Sequence, residues 1–173
     1  MPTIIYTSRE EIEVRRFTVA TTLGVSLLAI FLQAFFPLRL PFLGIFDLPL
    51  IVTIFFSVGR RNPIYGLLTG AAIGILQDAL TQHPIGVFGI AKTIVGYAAS
   101  SLGIRVDVEN PGTRFLMIFG CSLLQSCLYL MIVRSMLRSD ESWRFMHESA
   151  RALANALLGV VAFSLLDKLQ VQR

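Results

Sequence analysis

Charge is the scarcest commodity in this chain. Asp, Glu, Lys and Arg make up 15% of its 173 residues, against roughly 25% in soluble domains. With 54% hydrophobic residues and a positive mean hydropathy, a soluble globular domain is excluded and an integral membrane protein follows. Histidine is nearly absent as well. His83 and His147 stand far apart, with no His or Cys at ligand spacing, so no metal is expected. No Ser, Cys or His combine as nucleophile and base, and no catalytic residue or cofactor is expected either. The two cysteines, Cys121 and Cys127, share one apolar run six residues apart, which puts free, buried thiols on different faces of a helix. Low-complexity, Ser/Gly-rich and acidic stretches are missing, which leaves a single membrane domain over 1–173. The net charge of +4 is carried by arginines scattered at the ends of apolar runs. They form no basic stripe interleaved with aromatics, so nucleic acid is excluded as a partner and anionic lipid headgroups are expected.

What the chain has in quantity is apolar runs. A span needs roughly 20 such residues to cross about 30 Å of hydrocarbon, and six candidates meet or approach that: 17–36, 41–58, 63–80, 84–104, 115–133 and 150–166. The predicted fold class is all-α, a polytopic bundle of six transmembrane helices. The breaks carry turn chemistry, P-L-R-L-P, G-R-R-N-P, T-Q-H-P and V-E-N-P-G-T, with Pro near helix starts where its missing N–H does no harm. The leading stretch S-R-E-E-I-E-V-R-R mixes acids with bases, and no A-x-A site follows the first run, so it is expected to stay on the mature chain. Ser8 and Glu11 form a capping box, and Glu11 with Arg15 an i,i+4 pair. The second span is irregular. Asp47-Leu48-Pro49 has the pattern of an N-cap and first helical turn, so either 41–46 is a separate short element or the helix kinks at Pro49. Residues 134–146 mix Met, Leu, Trp and Phe with charges, the composition of an interfacial helix.

Lys and Arg set the orientation. Arg60 and Arg61 occupy the second turn, while the next, at His83, has neither; Arg9, Arg15, Arg16, Arg105, Arg114, Lys168 and Arg173 side with Arg60, whereas Arg39, Arg138, Arg144 and Arg151 do not. The expectation is both termini in the cytoplasm.

In the third span G-L-L-T-G-A-A-I-G-I-L-Q-D places Gly66, Gly70, Gly74 and Asp78 on one stripe at spacings of four. Such a stripe lets another backbone approach closely and therefore faces protein. Ala152, Ala156 and Gly159 line a second small-residue face beside Asn155 in the sixth span. Ala20 and Gly24 form a weaker pair in the first. Asp47, Asp78 and Lys92 are the ionisable residues well inside the spans. Each costs a few kcal/mol or more unless paired or wetted. At 1.5 Å per residue they lie about 9, 4 and 12 Å in from the outer ends of their spans. Two readings stand. Lys92 pairs with one of the two carboxylates and the other sits near water or headgroups, tying spans two, three and four; or Lys92 snorkels outward and Asp78 caps a frayed helix end. Gln33, Gln77, Gln125 and Asn155 are expected to hydrogen-bond neighbouring helices. The G-x-G-D signature of intramembrane aspartyl proteases is not met, since Ile75, Leu76 and Gln77 precede Asp78.

F-D-L-P-L at 46–50, the glycine-rich third span ending I-L-Q-D-A-L, the turn T-Q-H-P-I-G with Pro84 and Gly86, and G-I-A-K-T-I-V-G-Y at 89–97 together resemble the rod shape-determining MreD family. The likeness spans nearly the whole chain in length, and its specific part runs from 47 to 97. It implies a non-enzymatic component of the bacterial inner membrane, acting in cell elongation and lateral peptidoglycan synthesis. The implied partners are the bitopic protein MreC, MreB filaments, and the polymerase RodA with its transpeptidase, with a homodimer also allowed. Under it Asp78, Pro84 and Gly86 match the family's acid and following turn, with Ile85 in place of the usual Leu; Asp47 matches the acid of the second span. The small-residue faces would bind the MreC helix or a second copy. The family is similar in fold to the S components of energy-coupling-factor importers, and so an S-component-like bundle is expected. The alternative function is small-molecule capture, with Asp47, Asp78, His83 and Lys92 lining an outward pocket.

Overall fold

The computed structural model describes residues 19–81, 84–136 and 145–169. Over these the chain is all-helical: α1 (Val19–Arg39), α2 (Leu48–Arg60), α3 (Pro63–Thr81), α4 (Val87–Gly103), α5 (Pro111–Met136) and α6 (Phe145–Leu166), with short 3-10 turns at Pro41–Ile45 and Asp167–Leu169. Five segments are long and apolar enough to cross a membrane, Ala20–Arg39, Pro41–Arg60, Pro63–Leu80, Pro111–Ser135 and Phe145–Leu166, and α4 is a shorter apolar helix. The Ser8 capping box, the Glu11–Arg15 pair, His83 and most of the 134–146 segment lie outside the described residues. Phe145 and Met146, at the end of that segment, form the first turn of α6.

Of the two arrangements open for 41–46, the structure adopts the separate element. The 3-10 turn Pro41–Ile45 ends at Phe46, and α2 starts at Leu48 with Asp47 as its N-cap. The cause is local. The Asp47 carboxylate accepts the Leu50 N–H at 2.9 Å, and Pro49 sits where no N–H is needed. Thirteen residues reach only about 20 Å at 1.5 Å each, too little to cross alone. Such a helix survives because it meets no lipid: every residue from Pro49 to Gly59 is buried, as expected for a helix that is apolar on all sides. Its Leu50, Ile54, Phe55 and Phe56 form the centre of the hydrophobic core, with the Phe55 ring edge-on to Phe163 of α6 at 5.0 Å. At its far end Arg61 takes the left-handed conformation (φ 49°) and its N–H bonds the Val58 carbonyl. The Asn62 side chain then accepts the Ile64 and Tyr65 N–H groups to start α3.

The α3–α4 hairpin is the tightest pair. Gly66, Gly70 and Gly74 are buried, and a Cβ on any of them would overlap a backbone carbonyl of α4, those of Gly96, Lys92 and Phe88 respectively. Backbone-to-backbone contact at three successive turns is what the stripe makes possible. Across the bundle, a Cβ at Gly159 would fall 2.6 Å from Ile118 Cδ1 of α5, and Ala152 and Ala156 are likewise buried. Both small-residue faces are therefore filled from within the chain, leaving neither open to a partner helix or a second copy. One cysteine also departs from expectation: Cys121 is buried but Cys127 is exposed. A spacing of six turns the second thiol outward, where a membrane offers lipid instead of water. At the Arg60 end, Arg114 joins three elements: it bonds the Val108 carbonyl at 2.6 Å, pairs with Asp167 at 2.8 Å and covers the Phe163 ring.

Candidate functional site

Asp47 earns its place twice, as a helix cap and as an ion. Because it precedes α2, its own N–H has no helical partner, and it donates to Asn155 Oδ1 of α6 at 2.8 Å. The next N–H, of Leu48, donates to Gln33 Oε1 of α1 at 3.1 Å. Two groups that a helix start leaves orphaned are thus met by amides from two other helices. The carboxylate receives Lys92 Nζ of α4 on both oxygens, at 3.0 and 2.9 Å, and Gln125 Nε2 of α5 at 2.6 Å. Gln125 Oε1 in turn accepts from Lys92 Nζ at 2.7 Å. The ammonium donors therefore have three acceptor atoms, and the Gln125 amide can serve both ions only in this orientation. The Phe88 ring lies 5.2 Å from Nζ and is itself stacked on Tyr129.

Five helices, α1, α2, α4, α5 and α6, converge on this node. Asp47 and Lys92 are 1% and 0% exposed, so the pair is neutral overall and fully out of solvent. A buried pair is weak evidence for net stability, but removing one partner strands the other charge at a cost of about 3–5 kcal/mol. Its hydrogen bonds join the five helices at one point.

Asp78, the other carboxylate open to Lys92 in the sequence, lies outside that node. Lys92 takes Asp47. Asp78 is neither near water nor at a frayed end: it is 0% exposed and accepts the N–H groups of Gly86 at 2.8 Å, Phe88 at 3.2 Å and Gly89 at 3.1 Å. These are the free donors at the start of α4, whose N-cap, Gly86, sits at φ 106° and has no side chain to cap with. A carboxylate from the end of α3 supplies the missing cap across the turn, where it also meets the positive end of the helix dipole. Gly86 is needed for its backbone conformation, and Pro84 shapes the same turn, its carbonyl accepting from Val87 at 3.3 Å. Beside this turn an apolar crevice of about 240 Å³ is lined by Ile75, Gly86, Gly89, Ile90, Thr93 and Ile94.

Gln33, Gln125 and Asn155 were visible in the sequence as amides within spans, but nothing in their spacing placed them around Asp47. Gln77 is buried with its side-chain oxygen unbonded. Among the described residues no cluster of three His, Cys, Asp or Glu could hold a metal.

These features define a class: a multi-pass α-helical membrane protein whose embedded charges are committed to holding helices together. The profile of the rod shape-determining protein MreD family matches residues 15–170. The chain belongs to that bacterial family, which is non-enzymatic, and membership implies a role in rod-shape determination and points to partners in the cell-elongation machinery. No curated protein and no solved structure matches the chain significantly.

Proposed function

We propose that this protein is a scaffold of the elongation complex in the bacterial inner membrane, one domain with both termini in the cytoplasm. It binds MreC and, with MreB filaments and RodA with its transpeptidase, directs lateral peptidoglycan synthesis. One observation carries the reading: the interior ion pair is closed on itself, each Lys92 donor and both Asp47 oxygens being met by protein groups. A site that captures a small molecule needs polar atoms facing a chamber, and here they bind five helices instead. The glycine and alanine faces are occupied within the bundle, so MreC docks on outward-facing apolar surface. A conformational signal could pass only through differential contact with partner states.

The test is depletion in a rod-shaped host. Cells are expected to round while uptake of vitamins continues, and MreC to copurify with the tagged protein. Normal rods after depletion, or a small molecule retained by the purified protein together with lost uptake, would overturn the scaffold in favour of importer-like capture.

A further inference from the structure

Three charges are fully buried in the half of the bundle that contains Asp78, and all three are accounted for. Asp47 and Lys92 neutralise each other, and Asp78 is held by backbone N–H groups. Arg151, half-buried near them, is not accounted for in this way. It lies on α6 one turn before Asn155, half-buried at the edge of the packed face, and its charge acts on both Asp47 and Lys92. Among the described residues no acceptor meets its guanidinium. Glu148, three residues earlier, has its carboxylate 3.6 Å from His147. A guanidinium carries five donors and cannot shed its charge, so in a low-dielectric setting it requires an anion.

Its depth says which one. From Leu166, at the Arg60 end of α6, fifteen residues at 1.5 Å put Arg151 roughly 23 Å along the helix axis. In a hydrocarbon layer of about 30 Å, its side chain reaches the headgroup level of the nearer leaflet by snorkelling. We infer that Arg151 is a receptor for the phosphate of a membrane lipid at that leaflet, engaged by a two-pronged guanidinium–phosphate bond.

The experiment is native mass spectrometry of the full-length protein released from detergent with phosphatidylglycerol or, as the phosphate-free probe, diacylglycerol, together with melting temperatures in each. Wild type is expected to retain phosphatidylglycerol and melt higher with it. Arg151→Gln should lose about tenfold in lipid affinity, the value of one charge-assisted contact. Arg151→Lys, which keeps the charge and protects against a folding failure, should fall between. Arg39→Gln is the control for general headgroup attraction, since Arg39 is exposed at the same end and stands over the Phe35 ring; it should bind as wild type does. Unchanged phospholipid retention in Arg151→Gln, equal retention of diacylglycerol, or the same melting gain from inorganic phosphate alone would each overturn the proposal.

Discussion

At Lys92 three acceptor atoms meet one ammonium group, and loss of that group leaves the Asp47 carboxylate charged, buried and short of two bonds. Lys92→Met should therefore destabilise the bundle by about 3–5 kcal/mol, read as a shifted unfolding transition in detergent. Adding Asp47→Asn should recover part of the loss, because an amide still caps Leu50 while the stranded charge is gone. A single variant that unfolds with wild type would remove the ion pair from the account. At Asp78 the liability is different: Asp78→Ala leaves three backbone donors of Gly86, Phe88 and Gly89 without their acceptor, a loss of about 1–3 kcal/mol per unmet buried group. Hydrogen exchange should show the start of α4 opening first, while Asp78→Asn keeps an acceptor and loses less. Both acids and the lysine were legible as embedded charges. That Lys92 could pair with one of the acids was legible as well; which acid was not, because depth along a helix says nothing about the direction around it in which a partner stands, and because an acid near a helix end can serve the following helix as readily as its own.

Helix α3 shows what periodicity reveals and what it withholds. Spacing at four residues identified Gly66, Gly70 and Gly74 as a packed face, yet whether the occupant is a neighbour in the chain or another protein depends on the length of the following turn. Here the turn is short and α4 folds straight back onto the stripe. Gly70→Ala forces the new methyl into the Lys92 carbonyl, a clash with backbone that no rotamer relieves. It is expected to cost at least about 1–3 kcal/mol as overpacking and to disturb the node through Lys92. Gly24→Ala on α1 is the contrast: nothing lies within 4 Å of the added methyl, so the change should be neutral or stabilise by up to about 1 kcal/mol through helix propensity. Melting temperatures of the two variants side by side measure this, and equal losses at both positions would refute close backbone packing as the stripe's purpose. The short α2 was partly legible too. Asp47-Leu48-Pro49 marks a helix start in any medium, while the burial that excuses its length belongs to five neighbours.

Across the whole molecule the two ends handle cations differently. At the Arg60 end Arg60 stands over the Tyr65 ring and Arg114 is paired with Asp167, beside the exposed Arg105 and Lys168. At the other end Arg39 covers Phe35 and Arg151 is half-buried. The excess at the first end favours the cytoplasm for it; of the dissenting arginines, Arg39 has an aromatic face to stand on and Arg151, under the inference above, has a lipid phosphate. Because α3 runs from one end to the other, the turns that flank it must emerge on opposite sides of the membrane. Single cysteines placed at the exposed positions Asn62 and Ile85, in a chain whose Cys121 and Cys127 are replaced by Ala, report this directly. A membrane-impermeant maleimide added to intact cells should label the position-85 variant and spare the position-62 variant until the membrane is permeabilised. Labelling of both from outside would break the six-pass arrangement and with it the depth that sets Arg151 at the lipid headgroups.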